Sequence, residues 1–264
     1  MGKQRGRTIE SQSTQIRETP VPGGVPRFEI PDWRAKYGVV AGITGRGDER
    51  GRGFDLGLWS AEPVGEVMNR WLAFRREMQE FHATVLGRQV HGAQVMALDA
   101  GCGWIQVDAV DGWITVTPGI LLTVTVADCI PVYLIVPERA VALLHAGWRG
   151  TAGRILAGGV EGLKTATGCA SAEIIMHCGV GICGSCYEVG SEVMEGCGAP
   201  AQGQGPWHID LREQLLVQAR QLGLVHSTTS AWCSAHDRAP FYSHRASAGS
   251  DGRMVAYIGM AGQQ

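Results

Sequence analysis

Hydrophobic residues fall into short, separated runs along most of this chain, and their spacing predicts a mixture of helices and strands. Val67, Trp71, Phe74, Met78 and Phe81 recur at three- to four-residue intervals, which predicts an amphipathic helix over residues 66–86. Residues 39–43 form a strand candidate, followed at 44–53 by a loop rich in glycine and arginine. Further strand candidates lie at 93–98, 112–116, 121–126, 132–136, 141–144, 174–176 and 254–258, and further helix candidates at 151–164 and 211–222. The longest apolar run, 120–136, is broken by Asp128 and Pro131. It therefore reads as strand, turn and strand rather than as a membrane span. Residues 1–30 carry Pro20, Pro22, Gly23, Gly24 and Pro26 without any period, so a flexible extension is expected there. The remainder, 31–264, is expected to be one domain. Central strands with helices before and after them predict an α/β fold in which helices cover packed sheets.

Composition narrows the class. At 45% hydrophobic and 18% charged, the chain suits a globular protein with a large core. A formal charge of −2, with Lys and Arg scattered, argues against nucleic acid or an anionic membrane as a partner. The start, Met1 to Arg5, is positive but has no apolar stretch behind it, so no secretory signal is expected and the location reads as cytoplasmic. In a reducing compartment the eight cysteines favour thiols and metal ligands over disulfides.

Candidate chemistry sits in three segments: Gln89-Val90-His91-Gly92, Ala127-Asp128-Cys129-Ile130-Pro131, and His145-Ala146-Gly147-Trp148-Arg149-Gly150. Each places a metal-ligand type of residue at the end of an apolar run, just before Gly or Pro or one residue short of it. Such strand ends gather functional side chains in α/β folds. Two imidazoles and a thiolate suit zinc, and three protein ligands leave a fourth position open, as in catalytic sites. Spacing alone leaves the alternative of a small buried cysteine and hydrogen-bonded core histidines. Strand alternation would put Gln89 on the face of His91, near metal or substrate. Asp128 reads as a supporting or turn-bonding carboxylate rather than a ligand. Cys178, Cys183 and Cys186, beside His177, have a spacing that could hold a second metal, although the glycines around them favour a tight turn.

The three segments resemble, in order, the Q-V-H-G, A-D-C-x-P and H-A-G-W-R-G patterns of the laccase-domain family. That family is also called the purine nucleoside phosphorylase, polyphenol oxidase or peptidoglycan editing factor family. Further matches extend over roughly residues 40 to 260. They are Leu56-Gly57-Leu58 with Val67 to Arg70, Tyr187 to Gly190, Asp210-Leu211, and Ser243-His244-Arg245 with Gly252-Arg253-Met254. The resemblance implies an α/β/β/α fold related to a toxin deamidase. It also implies one zinc on His91, Cys129 and His145, which would be the catalytic residues. The implied reactions are phosphorolysis of adenosine, inosine or methylthioadenosine, and adenosine deamination. Arg46 matches the family's T-R-x-G position and is the first choice for a phosphate contact, with Arg149, Arg253 and Arg245 as further candidates. Two departures bear on substrate preference: Asp55 where the family usually has Asn, and Val180 and Gly184 where it usually has Pro.

The expected partners are thus a purine nucleoside and phosphate, and the expected assembly is a monomer or homodimer. Copper is the alternative metal. A multicopper oxidase, however, needs His-x-His pairs, and none occurs among the eight histidines. A cysteine hydrolase with Cys129 as nucleophile and His145 or His91 as base is another rival, and a non-enzymatic editing role a third.

Overall fold

The computed structural model describes residues 14–47, 53–60 and 62–262. The chain opens with β1 (Thr14–Ile16), β2 (Thr19–Pro20), β3 (Arg27–Glu29), α1 (Trp33–Tyr37) and β4 (Val39–Thr44). The long helix α2 (Val64–Glu77) leads into β5 (Ala83–Arg88). Six strands follow: β6 (Val95–Ala97), β7 (Gly103–Asp108), β8 (Gly112–Thr115), β9 (Ile120–Val126), β10 (Ile130–Val136) and β11 (Ala140–Ala146). Next come α3 (Trp148–Ala152), α4 (Ile155–Thr167), β12 (Ile175–Cys178), β13 (Glu188–Val189), α5 (Ser191–Gly196) and β14 (Trp207–His208). The last elements are α6 (Leu211–Gln221), β15 (His226–Ser230) and β16 (Met254–Met260).

Two seven-stranded sheets form, in the orders β1-β15-β12-β10-β11-β8-β6 and β2-β3-β4-β16-β9-β5-β7. Their central strands are apolar on both faces because each face meets a different layer. In β10, Tyr133 and Ile135 join the core between the sheets, while Val132, Leu134 and Val136 join the core under α4 and α6. In β9, Leu122 and Val124 face the inter-sheet core, and Leu121 meets Trp71, Phe74 and Met78 on the α2 side. The result is the expected helix–sheet–sheet–helix α/β arrangement.

Three expectations need correction. The helix expected over 66–86 ends near Met78, and Ala83–Arg88 is a strand running parallel to β7 and β9. Met78 and Phe81 continue the helical spacing, but Phe81 serves the turn, and the buried Thr84 and Val85 suit a strand enclosed on both faces. The helix expected over 151–164 is two helices, divided at Gly153 and at Arg154, which has φ 59°. Finally, residues 14–30 do not form a flexible extension, whereas residues 1–13 lie outside the described residues. β1 pairs with β15 and β2 with β3, and the intervening Glu18 is buried, receiving hydrogen bonds from His177 and Ser230. Paired strand edges and one buried carboxylate order the segment despite its prolines.

No helix among the described residues is long and apolar enough to cross a membrane.

Candidate metal centre

Strand pairing brings the three motif segments together. β10 and β11 are antiparallel with Pro131 opposite His145, so the turn between β9 and β10 delivers Cys129 beside His145. His91 lies just beyond β5. The donor atoms of His91, Cys129 and His145 all fall within 4.8 Å of one another, and the two imidazoles lie 4.9 Å apart between centroids. Tetrahedral nitrogen and sulfur ligands of zinc stand roughly 3.3–3.8 Å apart, so small side-chain shifts close this set around an ion. His145 is buried, Cys129 half-buried and His91 exposed, so the open position faces solvent. Gly147 makes the approach feasible: a Cβ there would stand 3.0 Å from the Cys129 sulfur and 3.4 Å from His91.

Asp111, a residue that sequence reasoning missed, holds both histidines. Its carboxylate lies 2.9 Å from His145 Nδ1 and accepts the backbone N–H groups of Val90, His91 and Gly92. The Nδ1 proton is thereby fixed on the Asp111 side, leaving Nε2 for Cys129. The hint available in the sequence was an acidic residue inside the apolar stretch 110–116. Burial works against the Cys129 thiolate, yet the charge and hydrogen bond of His145, with a bond from His91, bring it down to about 6. Burial likewise opposes the His145 cation, but Cys129 and Asp111 together raise it to about 9. In the metal-free protein the two form a thiolate–imidazolium pair.

Asp128 is no ligand. It sits at φ 87°, and its carboxylate accepts from the Ser234 hydroxyl at 2.6 Å and the Arg245 N–H at 2.6 Å. These bonds hold a strained backbone that aims the next residue, Cys129. Gln89 is also committed elsewhere: its amide donates to the Thr125 carbonyl and accepts from the Thr125 N–H and hydroxyl. His91 has φ 58°, so strand alternation stops before it and the expected shared face does not arise.

A cleft of ≈ 1070 Å³ opens beside Thr125, lined by Arg46, Arg238, Arg253, Asp55, Trp59 and Tyr242 among others. None of the triad lines it; Thr125, held by Gln89, is the link. Arg46 is bound at its rim, donating to Asp251 at 2.6 Å and to the carbonyls of Arg238 and Phe241, with its guanidinium 4.4 Å from the Tyr242 ring centroid. The Arg253 guanidinium donates to the carbonyls of Asp251 and Gly252, and no carboxylate pairs with it among the described residues. Arg149 lies over Trp148 and does not line this cleft, while Arg245 donates to the Glu188 carbonyl. Asp55 is buried and accepts the N–H groups of Gly57 and Arg253, a task an Asn oxygen could share. The departure from Asn thus exchanges a side-chain donor for an acceptor at the cleft.

Among the described residues the other cluster of ligand-type side chains is Cys183, Cys186, Cys233 and His236. It takes two of the cysteines noted in the sequence and leaves out the third. Cys178 is buried in the core with its thiol pushed up to about 12, and His177 is enclosed by Thr228 and Glu18.

Residues 41–261 match the family described as multi-copper polyphenol oxidoreductase laccase. The chain belongs to this family. It is 34% identical over 251 residues to the purine nucleoside phosphorylase YlmD of Geobacillus stearothermophilus, covering 84% of this chain and 90% of that protein. It is also 34% identical to a purine nucleoside phosphorylase of Deinococcus radiodurans, over 90% of this chain and 94% of the relative. A protein named adenosine deaminase RL5, from an unknown prokaryotic organism, is 31% identical over 84% of this chain and 94% of its own length. The crystal structure of the Geobacillus YlmD superimposes with a TM-score of 0.82 at 29% identity, over 93% of this chain and 100% of that one. YfiH of Bacillus licheniformis gives 0.80 at 25% identity, over 90% and 97%. Despite the copper in the family's description, the described residues of this laccase-domain chain offer two separate clusters and no grouping of many histidines.

Proposed function

We propose that this laccase-domain protein is a zinc-dependent purine nucleoside phosphorylase acting on adenosine, inosine or methylthioadenosine, with adenosine deamination at the same centre. The observation that carries the reading is the convergence of His91, Cys129 and His145 with one side open. The relatives named as phosphorylases and as an adenosine deaminase support the substrate class. Two imidazoles and one thiolate suit zinc, whereas hard cations prefer oxygen donors. Zinc, when bound, supplies Lewis acidity to an oxygen of phosphate, water or substrate.

The chain's own residues supply position and charge. Asp111 fixes the His145 tautomer and the backbone at His91. Arg253 offers the cleft a cation that no carboxylate among the described residues neutralises, and it takes the phosphate role first expected of Arg46. In phosphorolysis a phosphate oxygen bonds to the ribose carbon while the bond to the purine nitrogen breaks, and the base departs after gaining a proton. Tyr187 is a proton-bearing neighbour: burial, and then the Cys129 charge, push its phenol up to about 12, so it remains a donor at neutral pH.

Chromatography of nucleoside, base and ribose 1-phosphate across a phosphate series tests the reading. Base release only with phosphate is the expected result. Phosphate-independent base release would mean a hydrolase, inosine alone from adenosine a deaminase, and no turnover a non-enzymatic editing role. The Cys129–His145 pair with Asp111 behind it also favours a second reading, a cysteine hydrolase. Activity that survives a chelator and dies with a thiol alkylator would select it.

A further inference from the structure

We infer that Cys183, Cys186, Cys233 and His236 form a second metal site, a closed structural one that takes zinc. The ligands come as a Cys-x2-Cys pair and a Cys-x2-His pair from two distant parts of the sequence. β12 and β15 are parallel neighbours, so the loops leaving them emerge side by side at one sheet end. Gly181 bridges to Cys233 there, and the Ser234 N–H donates to the Gly181 carbonyl at 3.0 Å. A 3-10 turn over Gly184–Cys186 then folds Cys186 back beside Cys183. All four donor atoms fall within 4.8 Å of one another, with the Cys186 and Cys183 sulfurs 3.4 and 3.9 Å from His236 Nδ1.

The surroundings are those of a ligand set. The Cys183 N–H donates to the Cys233 sulfur at 3.3 Å. His236 presents Nδ1 to the sulfurs and Nε2 to the Asp237 carboxylate, 3.6 Å away, and that carboxylate also accepts the Cys233 N–H. A carboxylate behind the far ring nitrogen orients a ligating imidazole. Three thiolates on a divalent ion leave one negative charge. Buried Arg212 supplies a cation beside it, bonded to the carbonyls of Gly181 and of Trp232, the residue before Cys233. Soft sulfur donors with one imidazole select zinc over magnesium or calcium, and four protein ligands leave no position for substrate.

Its role follows from what the two loops hold. Ser234, next to Cys233, bonds the Asp128 carboxylate, and the Ile182 N–H donates to the Asp128 carbonyl at 2.9 Å. A Cβ at Gly181 would stand 2.7 Å from that carbonyl and 3.1 Å from that of Cys129. The second ion would thus clamp the loops that cradle the Asp128–Cys129 turn without touching substrate.

The test is metal analysis and zinc-edge X-ray absorption on full-length protein expressed with added zinc and purified under reducing conditions. About two zinc ions per chain are expected in the natural protein, and about one in the Cys183→Ser/Cys186→Ser double variant. Should that variant fail to fold, the His145→Ala protein decides: it should retain about one zinc in a three-sulfur, one-nitrogen environment. A natural protein with one zinc in that same environment would support this site while sinking the zinc at the triad. A folded His145→Ala protein free of metal, or a Cys183–Cys186 disulfide in the reduced natural protein, would overturn the inference.

Discussion

Asp111 Oδ1 lies 2.9 Å from His145 Nδ1, and the same carboxylate gathers the backbone N–H groups of residues 90–92, so one buried side chain sets both histidines of the triad. An amide in its place presents only one acceptor oxygen and no charge. Asp111→Asn is therefore expected to keep the fold and weaken zinc binding about 10–100-fold. Chelator competition measures this; unchanged affinity would remove Asp111 from the positioning role.

Metal and protons compete for the same atoms. Because His145 is raised to about 9 and Cys129 lowered to about 6, zinc displaces the His145 proton between those values and the Cys129 proton as well below about 6. Affinity should rise about tenfold per pH unit from 6 towards 9, more steeply below 6, and level off above 9. Calorimetry in buffers of different ionisation heat counts the protons released. A flat affinity from pH 6 to 9 would contradict the thiolate–imidazolium pair.

Cys129→Ser keeps size but gives zinc a poor ligand, so activity should be lost with the fold retained. Cys102→Ser, at an exposed position, and Cys169→Ser, in the core beneath α4, should leave turnover nearly unchanged. Full activity in the Cys129→Ser protein would reject both the metal and the nucleophile readings.

Two of the three arginines lining the cleft, Arg46 and Arg253, should separate in their kinetics. Losing a charge-assisted hydrogen bond costs roughly 1.5–3 kcal/mol, so Arg253→Ala should raise the KM for phosphate by about one to two decades. Arg46→Ala instead leaves the Asp251 carboxylate without its closest cation and should lower the melting temperature by several degrees. Equal effects on phosphate KM would return Arg46 to the binding role.

Much of this arrangement was legible in the sequence because period and motif agreed. β8, β9, β10, β11 and β16 are apolar runs bounded by turn residues, α6 follows its Asp210 cap, and three motifs marked the triad. Legibility failed where two signals overlapped or where partners were distant. Ala83–Arg88 was absorbed into a helical period that Met78 and Phe81 prolonged, and β15, His-Ser-Thr-Thr-Ser over 226–230, carries no apolar alternation. The placement of Gln89 failed because a single left-handed residue, His91, ends the alternation. The pairing of Cys183 and Cys186 with Cys233 and His236 depends on β12 lying beside β15, which no local pattern reveals.

The segment from Thr14 to Pro20 supplies one edge strand of each large sheet, β1 in one and β2 in the other. Sheet borders are where one protein chain can stitch itself to another, because unpaired N–H and carbonyl groups line them. This hem covers one border of each sheet with a handful of residues, secured by Glu18 against His177. Trimming it would expose β15 and β3 together and leave the buried His177 Nε2 without the Glu18 oxygen it bonds. Fibrous or clumped material, rather than a smaller working enzyme, is the expected product of cutting the chain just after Pro20.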